Sequence, residues 1–178
     1  MAHIKCIEPN LNDTEHSVVT AGTDDTLELP AVDSCMAVVF LMNDRSMVGG
    51  HIGMFGYGPT NGQMGDECTR TIVKNMIDQA GNIDNLGRIV VVTDIAEGDA
   101  GLGWPRDLNY FDTSIPSRLV LGKRPKGLLV TKIAKGGVTV DVVLVGKARQ
   151  LNIYKTAGKK LLYTKPINQL PTGGVTRY

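Results

Sequence analysis

The chain lacks the features that define several large classes of protein. It has three widely spaced cysteines, Cys6, Cys35 and Cys68, and no Cys-x-x-Cys pair, so neither a disulfide framework nor a metal site is indicated. No apolar run approaches the length of a membrane span, and the N-terminal MAHIKCIEPN has no core for a secretory signal peptide. We therefore expect no membrane span and a reducing setting, either cytoplasmic or reached by delivery into a host or target cell.

Aromatic residues are also few, and the two signs of charge are unevenly distributed. Residues 1–116 carry 6 Lys/Arg and 17 Asp/Glu, whereas residues 117–178 carry 13 Lys/Arg and one acid, Asp141. A basic C-terminal third can dock an acidic protein, a lipid surface or nucleic acid, or it can simply solvate strands that lie against the acidic part. It contains few aromatics to stack bases, so nucleic acid is the less expected partner. The sequence specifies no oligomeric state.

The length fits one domain over residues 1–178 with a sizeable core. One helix is predicted at Asp66–Ala80, with Asp66 as its cap, an apolar stripe at helical spacing and Gly81 at its end. Apolar segments predict strands at residues 3–8, Val18–Thr20, Thr26–Leu29, Met36–Met42, Met47–Met54, Arg88–Thr93, Leu119–Leu121, Gly127–Ala134, Val138–Val145, Leu151–Tyr154 and Lys160–Thr164.

The expected fold is α+β: a mixed, largely antiparallel sheet assembly, sandwich-like, with one main helix and long loops. Pro30 is expected to lie at a sheet edge or to end its strand, because proline cannot donate to a sheet ladder. Lys135-Gly136-Gly137 predicts a hairpin between the strands on either side of it. Two long loops, Gly56–Gly65 and Glu97–Pro116, are candidates for recognising a substrate.

The stretch Asp33–Met54 carries the most chemistry. Cys35 opens one apolar run, a polar turn follows at Asn43–Ser46, and His51 lies among glycines in the next run. If the two runs pair as a hairpin, the thiol and the imidazole could come within reach of each other, and a base of this kind would generate the nucleophilic thiolate. Both residues also have a structural interpretation, as a small core cysteine and as a mark of close backbone approach.

The frame VVTAGTDDTLELPAVDSCMAVVFL followed by VGGHIGMF resembles the chemoreceptor glutamine deamidases (the CheD family) and the cytotoxic necrotizing factors. The resemblance covers Val18–Phe55. It implies that Cys35, preceded by Ser34, is the nucleophile and that His51, 16 positions later, is the base. It also implies conversion of a protein glutamine to glutamate without metal or organic cofactor.

The chain departs from the family pattern at two positions. Leu29 stands six residues before Cys35, where the family has an orienting threonine nearby, and Asp33 stands where a glycine is common. Thr26 and Ser34 are therefore the candidates for orienting the histidine or holding the oxyanion. A backbone carbonyl could orient the ring equally well.

The predicted function is a cysteine-dependent amidohydrolase that deamidates a glutamine side chain of a protein substrate. The alternative is a non-enzymatic module whose basic third docks an acidic protein or nucleic acid. A cysteine protease or a transglutaminase-like enzyme using the same pair is a third possibility. Cys68, in the first turn of the predicted helix, is the second-choice nucleophile because a helix N-terminus lowers a thiol pKa.

Overall fold

The central strand of the fold is β4, Met36–Met42, and its position explains its uninterrupted apolar sequence. It pairs antiparallel with β5, Met47–Ile52, and with β6, Leu86–Thr93, while β2, Val18–Ala21, completes the sheet on the far side of β5. The helix α1, Gly65–Ala80, covers one face of this four-stranded sheet. Because a second sheet covers the other face, all but one residue of β4 is buried.

The computed structural model describes residues 1–7, 17–32, 35–53, 65–93, 130–131, 137–170 and 175–176. The second sheet has five strands in the order β1-β3-β8-β9-β10, with β1 parallel to β3 and the other neighbours antiparallel. Its strands are β1 His3–Lys5, β3 Thr26–Val32, β8 Val138–Val145, β9 Ala148–Lys155 and β10 Leu161–Pro166. Two short strands, β7 Val130–Thr131 and β11 Val175–Thr176, pair in parallel. The predicted α+β class, with mixed and largely antiparallel sheets and one main helix, is confirmed.

Two apolar cores hold these three layers together. The inner core lies between the two sheets, and the outer core lies between the four-stranded sheet and α1. Full burial of each large apolar side chain contributes about 1.5–3 kcal/mol. The inner core includes Leu27, Leu29, Cys35, Ala37, Val39, Val90, Val92, Val140, Val142, Leu151 and Ile153. The outer core includes Val38, Phe40, Val48, Ile52, Ile72, Val73, Met76, Ile89 and Val91.

Glycines on β5 show which residues of that strand face each core. A Cβ at Gly49 would meet the Leu27 side chain of the five-stranded sheet at 2.9 Å, whereas a Cβ at Gly50 would meet Met76 of α1. Residues alternate between the two faces of a strand. Gly49 and His51 therefore face the inner core.

Two local predictions need correction. β3 does not end at Pro30 but continues to Val32, with Pro30 at a bulge between the Leu29↔Val140 and Val32↔Val138 pairs and beyond the three residues that pair with β1. A bulge accommodates proline because the ladder is already interrupted there. The hairpin around residues 135–137 is also absent from the described pairings, since β3 and β9 occupy both edges of β8 and β7 pairs with β11.

Other predictions are confirmed or lie outside the described residues. The polar turn after β4 connects it to β5 in a hairpin, as expected. The helix α1 begins one residue earlier than predicted, so Asp66 lies inside the helix and is not its cap. Gly81 has the expected left-handed φ of 68°. The loops predicted at Gly56–Gly65 and Glu97–Pro116, and the strand at Leu119–Leu121, fall wholly or almost wholly outside the described ranges. Within those ranges no helix combines the length and apolar content of a membrane span.

Candidate active site

The register of the β4–β5 hairpin sets the relative positions of Cys35 and His51. Ala37 of β4 lies directly opposite His51 of β5. Cys35 stands two residues before Ala37 and belongs to the same inner core, one residue before the ladder begins. Diagonal neighbours on one face of an antiparallel pair have Cβ atoms roughly 7 Å apart. The register therefore makes the cysteine a diagonal neighbour of the histidine on the inner face.

Both side chains are buried in this arrangement. Cys35 retains 3% of its surface and His51 retains none. The prediction required a sulfur that water and a substrate amide can reach, and in the described conformation that accessibility is absent. The reason is the second sheet, which covers the face of β4 and β5 on which both residues lie.

A second cysteine, Cys6, lies beside His51 at the end of β1. The thiol of Cys6 donates to the carbonyl of Ser17 at 3.2 Å, and the residue is fully buried. Burial raises the pKa of the Cys6 thiol well above its usual range, and the backbone N–H of His51 opposes that shift only in part. Cys6 is therefore held as a neutral thiol and cannot readily act as a nucleophile.

The electrostatics of His51 follow from the same burial. Burial lowers the pKa of His51 to about 4, and the neighbouring backbone of Cys6 opposes the shift without meeting hydrogen-bond geometry. Neither ring nitrogen has a hydrogen-bond partner in the described part of the chain. The imidazole is thus neutral at physiological pH, which is the form that accepts a proton. Its two nitrogens lose their hydrogen bonds to water on folding, and no described protein group takes the place of that water.

The structure does not bring the remaining candidate residues to this pair. Thr26 begins β3, and alternation places it on the face opposite Leu27, away from the inner core that holds His51. Ser34 lies outside the described residues, as does the loop after His51. The backbone of Cys68 lies in the first turn of α1, on the other side of the four-stranded sheet, and its side chain is not described.

Sequence reasoning missed the proximity of Cys6 to His51. The contact depends on the parallel pairing of β1 with β3, whose register matches His3 with Thr26 and Lys5 with Glu28. Only three residues form that strand, and a parallel partner so far along the chain leaves no local sequence signal. Among the described residues, no three His, Cys, Asp or Glu side chains gather into a metal site.

Comparisons with known proteins add little to this geometry. No protein-family model matches the chain, and no curated protein matches it. Among solved structures, the chain is similar to the C-terminal domain of CNFy from Yersinia pseudotuberculosis, with a TM-score of 0.37 and 7% sequence identity. The alignment covers 84% of this chain and 58% of that one. Similarity at this level carries no argument about function.

Proposed function

We propose that this chain is a cysteine-dependent amidohydrolase in which Cys35 and His51 deamidate a glutamine side chain of a protein substrate. The observation that carries the proposal is the hairpin register, which pairs Ala37 with His51 and puts Cys35 on the adjacent diagonal of the same sheet face. A nucleophile and its base must come together in this way on neighbouring segments. No metal or organic cofactor enters the proposed reaction.

The reaction begins with transfer of the Cys35 thiol proton to the neutral imidazole of His51. The thiolate attacks the amide carbon, and backbone N–H groups near Ser34 and Cys35 hold the oxyanion of the tetrahedral intermediate. The imidazolium then returns its proton to the departing ammonia, leaving a thioester. Water deprotonated by the same imidazole hydrolyses the thioester, which yields glutamate and regenerates the thiol.

Because Thr26 faces away from His51, we assign the orienting role to a backbone group, and the backbone of Cys6 is the one that lies near the ring. It does not meet hydrogen-bond geometry with either ring nitrogen in the described conformation, so the hydrogen bond would form only as the site opens. The backbone group would act while the ring is protonated, between the transfer of the Cys35 proton to His51 and its return to the departing ammonia. A main-chain group needs no particular side chain at the position, so a threonine is not required.

The proposed reaction includes an opening step, because Cys35 is only 3% exposed in the described conformation. A glutamine side chain reaches the sulfur only when the chain that covers it moves aside. Local opening of this kind occurs in native proteins at a lower free energy than global unfolding. The rate of any reaction at Cys35 is then the product of the opening equilibrium and the intrinsic reactivity of the open site.

Deamidation can be detected without knowing the substrate. The protein is incubated with cell lysates in heavy-oxygen water, and mass spectrometry identifies glutamines converted to glutamates that carry the heavy oxygen. We expect such sites with the wild type and none with Cys35→Ser or His51→Ala, whereas Cys6→Ser retains them. Peptide cleavage or glutamine–lysine cross-links in place of deamidation would instead assign a protease or a transglutaminase-like enzyme.

The alternative is a binding module, and one observation favours it. Four basic residues of β8–β10 and their turns, Lys147, Lys155, Lys159 and Lys160, are exposed and available to an acidic partner. Such a binder loses affinity steeply as salt is added. It also keeps its affinity when Cys35 is replaced by serine, which separates it from the enzyme.

A further inference from the structure

A second site lies at the opposite end of the four-stranded sheet from Cys35. A pocket of about 320 Å³ opens between the β4–β5 turn, the β8–β9 turn and the segment after β10. Four basic residues line it: Arg45, Arg88, Lys147 and Arg149. None of the lining residues that the structure describes is acidic. Since β4 separates the two ends, the pocket lies roughly 20 Å from Cys35, and we call it the basic pocket.

Two of the four cations of the basic pocket, Arg88 and Arg149, donate to backbone carbonyls and not to carboxylates. Arg149 is 4% exposed and donates to the carbonyls of Gly22, Thr23, Asp25 and Arg45 at 2.5–3.2 Å. Arg88 donates to the carbonyl of Ile167. A carbonyl satisfies a donor but carries no net charge, so the positive charge of both guanidinium groups remains.

The nearest acidic groups leave this charge largely uncompensated. Asp25 accepts from the N–H groups of Ala2 and Gly22, and Asp44 accepts from Ser46 in the turn beside Arg45. Asp24 and Asp25 are not among the described lining residues, and each of them raises the pKa of Arg149 less than Arg45 lowers it. None of the four pocket cations forms an ion pair within the described chain.

Like charges gathered at one pocket repel one another, and the repulsion is stronger where solvent is partly excluded. Burial lowers the pKa of Arg149, and the charge of Arg45 lowers it further. A bound anion would attract each of the four cations and so offset their mutual repulsion. The backbone carbonyls meanwhile fix two of the guanidinium groups in place before any ligand arrives.

We propose that the basic pocket binds the phosphate group of a small phosphomonoester. A phosphate carries about −1.5 to −2 charges at neutral pH, which matches a cluster of four cations better than a single carboxylate does. The pocket is at the small end of the range for ligand sites, so it accommodates a compact ligand. Its lining also includes the apolar residues Leu41, Met42 and Ile167, which suit the carbon portion of such a molecule.

The residues divide the work of binding. Most N–H groups of Arg149 are already donated to carbonyls, so this residue supplies charge more than hydrogen bonds. Arg45 and Lys147 are exposed, and within the described part of the chain their side chains have no hydrogen-bond or ion-pair partner. Arg88 keeps donors beyond the one given to Ile167. These three side chains provide the direct contacts to the phosphate oxygens.

The test measures binding of glycerol phosphate by calorimetry at constant ionic strength, with acetate as the monoanion for comparison. The variant Arg45→Gln/Lys147→Gln removes two exposed pocket cations, whereas Lys155→Gln/Lys160→Gln removes two exposed cations of the five-stranded sheet that do not line the pocket. We expect the pocket variant to lose about tenfold or more in affinity and the control variant to lose less than about twofold. Acetate should bind more weakly than glycerol phosphate to the wild type.

A second arm separates the possible sources of the phosphate group. Vesicles containing phosphatidic acid are compared with vesicles of neutral lipid, using the same two variants. Pocket-dependent binding to phosphatidic acid without binding to glycerol phosphate would assign the phosphate to a lipid headgroup and overturn the small-ligand proposal. Equal losses in both variants, or no binding of either phosphate probe by the wild type, would also overturn it. None of these outcomes depends on the reaction proposed for Cys35.

Discussion

Cys6 and His51 lie against each other between the two sheets, and each side chain is close to the backbone of the other. The contact joins the end of β1 to the middle of the structure, although 45 positions separate the two residues in the sequence. The ring is buried there, and neither of its nitrogens has a hydrogen-bond partner among the described residues. The consequence is a histidine that the folded protein keeps neutral.

The stability of the protein should fall on acidification because of His51. Its pKa is about 4 in the folded state and 6.5 without the protein environment, so below pH 6.5 the unfolded chain binds a proton that the folded chain does not. The stability conferred by the neutral ring is complete above pH 6.5 and is lost progressively down to pH 4. The loss amounts to roughly 3 kcal/mol.

The measurement is the free energy of unfolding by urea across that pH range, for the wild type and for His51→Leu. The variant lacks the titrating group, so between pH 6.5 and pH 4 it should lose roughly 3 kcal/mol less stability than the wild type. Identical pH profiles for the two proteins would contradict the buried, neutral histidine.

Asp141 should have the opposite pH dependence. It lies opposite Glu28 across β3 and β8, and burial together with the charge of Glu28 raises the Asp141 pKa to about 6. The folded state therefore holds the proton more tightly than the unfolded state, and this contribution is present below pH 3.8 and lost as the pH rises through 6. Asp141→Asn should stabilise the protein at pH 7 by about 1 kcal/mol after allowance for solvent exposure.

The stabilisation by Asp141→Asn should disappear below about pH 4, where the wild-type carboxyl is also neutral. The matched control is Asp78→Asn on the exposed face of α1, where the carboxylate forms an ion pair with Lys74 at 3.0 Å. That change should alter the urea midpoint very little. A destabilising effect of Asp141→Asn at pH 7 would show that the neighbouring cations Lys5 and Lys159 outweigh burial and Glu28.

Arg149→Lys should destabilise the fold even though it conserves charge. One ammonium group cannot reach the carbonyls of Gly22, Thr23, Asp25 and Arg45 that the guanidinium fork joins. The unfilled carbonyls should cost about 2–4 kcal/mol, measured as the free energy of unfolding. Lys147→Arg, at the exposed turn two residues earlier, is the control and should be neutral. An unchanged free energy of unfolding in Arg149→Lys would mean that these hydrogen bonds do not stabilise the segment around residues 22–25 or the β4–β5 turn.

The sequence predicts the elements of this fold better than their partners. β4 is recognisable as a continuous apolar run because it is buried on both faces. α1 is recognisable from an apolar stripe at helical spacing because it is buried on one face. The glycine pair at 136–137 resembles a hairpin signal, but the pairing of β8 with β3 depends on contacts over a hundred residues away. Such long-range pairing is decided by the inner core, which no local pattern encodes.

The candidate site was predictable only in part. The hairpin that makes Cys35 and His51 neighbours follows from two apolar runs and a polar turn, and the structure has that hairpin. The burial of both residues comes from the five-stranded sheet, whose strands are drawn from both ends of the chain. The same long-range packing brings Cys6 to the histidine and turns Thr26 away from it.

The most direct test of the proposed function is the rate at which iodoacetamide alkylates each cysteine of the native protein. We predict that a limiting dose labels Cys35 ahead of Cys6 and Cys68, and that His51→Ala removes this preference while Cys6→Ser preserves it. The labelling of Cys35 should also be insensitive to low urea, because local opening exposes little surface. If Cys35 reacts no faster than Cys6, and only as fast as the whole protein unfolds, the cysteine is a core residue and the proposed enzyme is wrong.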